Sequence, residues 1–435
     1  MMYKLNPLRT LWSILILALA LTACGNKNDP APTEAVGLAL SDDAALEAMH
    51  VIEEQVSELR GLETLEPVSK ALLTNDELRQ RIEKDVLEDY SEQEARDDVL
   101  LYVAFELMEK DTDLYNLLID LQTEQVAGFY DPETEEMNVV KSNQQPGALE
   151  RSVFAHEYTH ALQDQHFDLE AMGFTDDENK EDEDSERDFA IRCLVEGDAM
   201  LLQQQHMMQY FDPDELREVF NQALAADSSV LDAAPDILRE SLLFPYEGGL
   251  LFVTGLYAEG GWAAVDAAYT NPPLSSEQIL HPELYPGDVP QMITLPPLTD
   301  TLGAGWRLVD ENTVGEFALN LYLDVHVSPA QAEAAAEGWG GDRYAVHWRE
   351  DESAFVLVLR LAWDTPTDAS EFFETYVQFA GDRFGSGPAH SEGETRLWSG
   401  ADQLLLAQND QHETLVIFAP DQATLEALRG LFPEF

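Results

Sequence analysis

Two cysteines in 435 residues, Cys24 and Cys193, leave no material for a disulfide framework. Basic residues are scarce as well: 24 Lys and Arg stand against 84 Asp and Glu, a formal net charge of −60. Phosphate backbones are gripped by clustered Lys and Arg, so this balance excludes nucleic acid as a partner. The same imbalance makes the folded chain repel itself at low ionic strength, and salt should relieve that repulsion. Long apolar runs are also missing. The one prominent run, Leu11–Leu21, is shorter than the roughly 20 residues a membrane-spanning helix needs. What these shortages leave is a chain that is 45% hydrophobic, enough for a large core and two domains.

At the N-terminus Lys4 and Arg9 precede the apolar run, which ends in Leu21-Thr22-Ala23-Cys24-Gly25. A charged start, a short apolar stretch and small residues make a targeting signal rather than a structural helix. The stretch before the cysteine resembles the lipobox of bacterial lipoproteins. That resemblance implies a signal peptide over 1–23 and a mature chain whose first residue, Cys24, carries lipid. It also implies a tether over 24–40 and a protein held at the membrane of the cell envelope, outside the cytoplasm. A plain secretory signal or a short membrane anchor is the alternative. With Cys24 lipidated, Cys193 has no partner within the chain and reads as a small buried hydrophobe.

The body of the chain reads as α+β. Residues 41–122 have helical character, with a capping box at Ser91-Glu92-Gln93-Glu94, and form an N-terminal layer. At Gln125 the period changes, and Val126–Tyr130 with Met137–Val140 reads as a β-hairpin. The following helix carries Leu149, Val153, His156, His160, Asp164 and Phe167 on one stripe facing the core. An acidic stretch, Met172–Asp188, reads as a solvated loop. A second long helix, Ser185–Tyr210, carries Phe189, Cys193, Glu196 and Met200 on its buried stripe. Further helix is expected over Phe211–Arg239, then an apolar helix from Phe244 to Tyr257 ended by Gly260-Gly261, and a short one over Trp262–Tyr269. The proline-rich Asn271–Pro297 contains Glu277-Gln278-Ile279-Leu280-His281-Pro282-Glu283. The boundary after residue 298 separates a mainly helical core, 123–298, from an α+β domain, 299–435. In the latter, Ser328-Pro329 starts a helix that Gly338 ends, and Gly338–Arg343 reads as a tight turn around a packed Trp. Strands over Arg343–Trp348 and Ala354–Trp363 and a helix over Asp368–Ala380 come next. The hairpin Gln403–Ala407 with Leu415–Ala419 and a helix over Gln422–Leu431 complete it.

The chemistry concentrates in His156-Glu157-Tyr158-Thr159-His160. Helix positions four apart lie one above the other, so the two imidazoles can share one metal ion. Glu157 sits around the helix from them, free to take a proton from activated water. Two histidines need a further ligand, and His166 and Glu196 are the candidates. If the helix continues, His166 points about 120° away from His160 and cannot reach the same ion. Glu196, a carboxylate among apolar neighbours, needs a cation to remain ionised.

His156–Asp164 (HEYTHALQD), followed by Glu196-Gly197-Asp198-Ala199, resembles the gluzincins, zinc metallopeptidases that complete HExxH with a downstream glutamate. The resemblance spans roughly Gln125–Tyr269. It implies a zincin-like core with Zn2+ held by His156, His160 and Glu196, Glu157 as general base, and a peptide or protein as substrate. It also implies that an extended peptide adds beside the hairpin and that His281, Tyr285 or Tyr246 stabilises the oxyanion, while Asp198 or Asp164 could orient a histidine in place of the family's acidic residue. The chain departs from the pattern at Met200, where thermolysin-like enzymes have an acidic residue. Gln163 stands where metzincins have a glycine. The rival reading is a catalytically inactive zincin-like lipoprotein that serves as a binding or envelope-assembly module.

Overall fold

The computed structural model describes residues 42–435 apart from 75, 82–83, 85–89, 125–127, 141–145, 173–183, 227 and 411. The expected signal peptide, Cys24, the expected tether and most of the acidic stretch lie outside the described residues. Among the described residues no helix is long and apolar enough to cross a membrane.

The N-terminal layer is not purely helical. Helix α1 (Asp42–Arg60) is followed by strand β1 (Ser69–Leu73), and then by α2 (Glu92–Ala104) and α3 (Leu114–Glu124). β1 pairs in parallel with β3 (Glu136–Val140), which pairs antiparallel with β2 (Gly128–Asp131), giving a three-stranded sheet in the order β1-β3-β2. The expected hairpin is therefore present but has recruited a distant third strand. Its turn is locked by Asp131, whose carboxylate accepts hydrogen bonds from Glu133 N and Thr134 N.

Helix α4 (Ala148–Phe167) lies at the centre of this lobe. The amphipathic stripe expected from its sequence understates its burial, because every position from Ser152 to Gln163 is buried. It is enclosed by α1, by the small sheet and by α5 (Ser185–Tyr210), so it has no solvent face along those turns. Asp184 caps α5 by accepting from Glu186 N and Arg187 N.

After α5 come α6 (Pro213–Ala225) and α7 (Asp236–Gly260), so the helix expected over Phe211–Arg239 is interrupted. α7 also begins eight residues before the expected Phe244 and carries Pro245 in its interior. Proline there supplies no N–H to the helix ladder. Burial of Ile237, Leu238 and Leu242 against Leu114, Leu118 and Leu121 of α3 holds the early turns regardless. α8 (Trp262–Thr270) and the short α9 (Ser276–Leu280) close the lobe.

The C-terminal lobe is a seven-stranded antiparallel sheet in the order β4-β5-β6-β10-β9-β8-β7. Its strands are β4 (Trp306–Asn312), β5 (Trp339–Arg349), β6 (Phe355–Trp363), β7 (His390–Glu392), β8 (Thr395–Ser399), β9 (Gln403–Gln408) and β10 (Glu413–Ala419). Its helices are α10 (Gly315–Asp324), α11 (Pro329–Ala336), α12 (Pro366–Phe384) and α13 (Gln422–Arg429). Leu357, Leu359 and Leu361 of β6 face the core under α12, while Val356 and Val358 face the core under α13. Both faces are covered, which explains the nearly unbroken apolar run of β6. Gly338–Arg343 is not a tight turn. Gly338 takes a left-handed conformation (φ 77°), Trp339 begins β5 with its ring buried, and the register shifts between Trp339 and Gly341.

α2 joins the lobes. Ala95, Val99 and Tyr102 pack with Met200 and Leu238 of the helical lobe, whereas Leu100, Ala104 and Phe105 enter the core of the large sheet. Trp348 Nε1 donates to Leu100 O at 3.0 Å, and Arg307 grips Asp97 through two nitrogens. The segment 41–122 is thus divided between the two lobes.

A second joint is Glu186 at the start of α5. Its carboxylate accepts Ser276 N and Ser276 Oγ, each at 2.5 Å, and lies against Gly315. Burial raises the carboxyl from its ordinary 4.5 to about 8, the Ser276 hydrogen bonds opposing this only in part. A folded value above the unfolded one means that the native state holds the extra proton between those limits. This group's contribution to stability therefore falls as pH rises from about 4.5 to about 8. Melting curves of Glu186→Gln should lie several degrees above wild type at pH 8 and converge on it near pH 4.5. A constant difference across that range would remove Glu186 as the titrating group.

Candidate metal centre

α4 and α5 bring the expected ligands together. His156 Nε2 and His160 Nε2 are 3.2 Å apart, and Glu196 Oε2 lies 3.2 Å from the first and 3.5 Å from the second. Donors bonded tetrahedrally to zinc at about 2.0–2.2 Å sit about 3.3–3.5 Å from one another, so this triangle is one face of such a polyhedron. All three side chains are buried. Glu157 offers a carboxylate oxygen within 4.8 Å of a ring nitrogen of each histidine. The residues present fit a zinc ion of the open, catalytic kind, with three protein donors and a remaining position.

The electrostatics favour a cation in the triangle. Burial alone would raise the Glu196 carboxyl, but the His160 charge and hydrogen bonds from both histidines hold it well below the usual carboxylate range. Burial also opposes charge on His160, yet the nearby Glu196 carboxylate lifts that imidazole to about 9. The field that retains a proton on His160 would equally attract a metal ion.

His166 is elsewhere. α4 runs unbroken past Gln163, and His166 Nε2 meets Glu63 O at 2.8 Å on the exposed side. Of the oxyanion candidates, Tyr246 alone reaches the triangle, with its hydroxyl 3.4 Å from Glu196 Oε1. His281 pairs with Glu316 at 2.9 Å, and Tyr285 donates to Asn271 O at 2.7 Å.

Neither proposed aspartate touches a histidine directly. Asp164 accepts from Tyr130 OH at 2.8 Å. Asp198 acts through an intermediary: His160 Nδ1 meets Gln163 Oε1 at 2.8 Å, and Gln163 Nε2 donates to Asp198 Oδ2 at 3.1 Å and to Val195 O at 3.0 Å. Tyr269 OH and Arg60, through Nε and Nη2, also donate to Asp198. Arg60, the last residue of α1, is buried with its guanidinium 4.4 Å from the Trp262 ring centroid. Gln163 thus fixes the His160 tautomer that leaves Nε2 toward the triangle. Sequence reasoning passed over it and Arg60. The only local signal was Gln163's position three residues after His160, on the same helix face.

Close backbone contact sets where Glu196 stands. A Cβ on Gly197 would come 2.1 Å from Gly249 O, and one on Gly249 would come 2.1 Å from Cys193 O. α5 and α7 therefore cross backbone to backbone, one residue from the proposed ligand. Cys193 is buried in that packing, as expected of a small hydrophobe.

A family model described as a domain of unknown function, DUF8575, matches residues 305–429, which is the large-sheet lobe from β4 through α13 and contains none of the metal-centre residues. No curated protein and no solved structure matches the chain.

Proposed function

We propose that the protein is a lipid-anchored, extracytoplasmic zinc metallopeptidase acting on peptide or protein substrates. The observation that carries this reading is the buried triangle of His156, His160 and Glu196 donor atoms beside the Glu157 carboxylate. Its envelope location and lipid anchor rest on the Leu21–Gly25 stretch of sequence.

Zinc held there would polarise a scissile carbonyl and make water nucleophilic near neutral pH. Glu157 takes the proton of the attacking water and carries it to the leaving amine. Its carboxylate already accepts Tyr130 N at 2.9 Å, so the edge strand β2 and the base are in direct contact. An extended substrate adding to that edge would lie along the strand that touches the base. Burial pushes the Tyr246 hydroxyl well above its ordinary range, leaving it a neutral donor for a developing oxyanion.

The ligand set is tested by elemental analysis. Wild type and His166→Ala should carry one zinc per chain. His160→Ala and Glu196→Ala should retain less than about a tenth of that, since each removes one of three protein donors. Zinc retained by Glu196→Ala and lost from His166→Ala would overturn the assignment. One zinc per chain with no cleavage across a broad peptide panel would favour the rival binding or envelope-assembly module.

A further inference from the structure

Among the described residues outside the metal centre, Glu277 on α9 is an unusual carboxylate. It is fully buried, and no N–H or O–H among the described residues donates to either of its oxygens. It faces two further acids: one oxygen from each of Glu277, Asp288 and Asp364 falls within a 4.8 Å spread. Asp288 Oδ2 is likewise buried without a hydrogen-bond partner, while Asp364 is exposed. Nearby Glu316 pairs through one oxygen with His281 and has no partner for the other, which is buried. Three carboxylates that share so small a space, one of them out of water, need a positive charge between them.

We propose that Glu277, Asp288 and Asp364 form a binding site for a calcium-class divalent cation that clamps the two lobes together. Glu277 and Asp288 belong to the end of the helical lobe, whereas Asp364 lies in the link between β6 and α12. All donors are oxygens, which suits a hard cation. Oxygens sharing one calcium ion, bound at about 2.3–2.6 Å, can be up to about 5 Å apart, and exposed Asp364 leaves room for water to complete the shell. Two adjacent glycines of β5 make room beside the cluster. Gly340 has no Cβ to crowd Asp364 Oδ1, which would lie 2.9 Å away, and Gly341 has none to strike Gln291 O at 2.4 Å. Gln278 Nε2 donates to Asp288 O, holding the loop that carries Asp288. Burial, the approach of Asp288 and the Glu316 and Asp364 charges together push the Glu277 carboxyl up to about 10. The cluster must therefore hold either a proton or a cation near neutrality.

The test is calcium titration of the zinc-loaded full chain by calorimetry. Excess magnesium and high salt suppress diffuse binding to the acidic surface. Wild type should bind one calcium with a dissociation constant of about 10⁻⁴–10⁻³ M or tighter, and its melting temperature should rise on binding. Glu277→Gln and the exposed Asp364→Asn should each weaken binding at least tenfold, and Glu371→Gln, on the surface of α12, should not. If Glu277→Gln fails to fold, Asp364→Asn decides alone. Identical calcium responses in wild type and Asp364→Asn would overturn the proposal, as would no response in wild type, and would leave Glu277 as a protonated acid shared with Asp288. Zinc content measured on the same samples separates this outcome from failure of the peptidase reading.

Discussion

Peptide hydrolysis by Glu157→Gln should fall about a thousandfold, in the middle of the range that a positioned general base contributes, while zinc content and melting temperature stay at wild-type values. The isosteric amide can still accept the Tyr130 N hydrogen bond through its oxygen, so the contact with β2 survives. Glu157 is also outside the His156–His160–Glu196 triangle, so no metal donor is removed. What the substitution takes away is the ability to accept a proton. Rates from initial velocities on a cleaved peptide, with zinc measured on the same preparation, decide the matter. A variant within a fewfold of wild type would take Glu157 out of the reaction. A variant that has lost zinc would mean that its carboxylate serves the metal rather than the water.

Gly197→Ala, at the point where α5 and α7 touch backbone to backbone, should damage the protein severely. The new Cβ would sit 2.1 Å from Gly249 O, a backbone atom that no rotamer change can move. Overpacking in a core usually costs about 1–3 kcal/mol, and a backbone-on-backbone clash belongs at or beyond the top of that range. The helices must part, and Glu196 must move with its neighbour. A drop in melting temperature of roughly 10 °C or more, together with zinc loss, is expected in calorimetry and elemental analysis. Gly255→Ala is the internal control. It lies on the same α7, nothing is within 4 Å of the added Cβ, and helix propensity alone predicts a gain of about 0.5–1 kcal/mol. Equal responses of the two variants would mean that the crossing is not rigid.

These residues also mark how far sequence reasoning reached. The spacing of His156 and His160, the break of α7 at Gly260-Gly261 and the capping box at Ser91 depend on residues within a few positions, and each coincides with the structure. Glu196 was accessible because a carboxylate on an apolar stripe is conspicuous without any knowledge of its partner. Interactions that span long separations were not accessible. Nothing near Ser69–Leu73 announces a parallel strand, because its partner β3 lies more than sixty residues onward. Arg60 looks like an ordinary last-turn cation until Asp198 arrives from 138 residues away. In the sequence Gln163 shows only that no glycine stands there, and nothing local reports its hold on His160 and Asp198. The sequence puts the start of this helix at Phe244, and only the packing of Ile237 and Leu238 on α3 reveals why it begins earlier.

α2 has a bearing on how this chain is made. Leu100 is synthesised 248 residues before Trp348, whose indole closes over its carbonyl, and before every strand of the sheet that buries it. During elongation one face of α2 can settle on the neighbouring helices, but the other stays exposed to water until almost four-fifths of the polypeptide has emerged. Burying that face therefore joins elements that lie far apart along the chain. A fragment that stops before the large sheet would be born with Leu100, Ala104 and Phe105 uncovered, an adhesive strip that would leave it prone to aggregation.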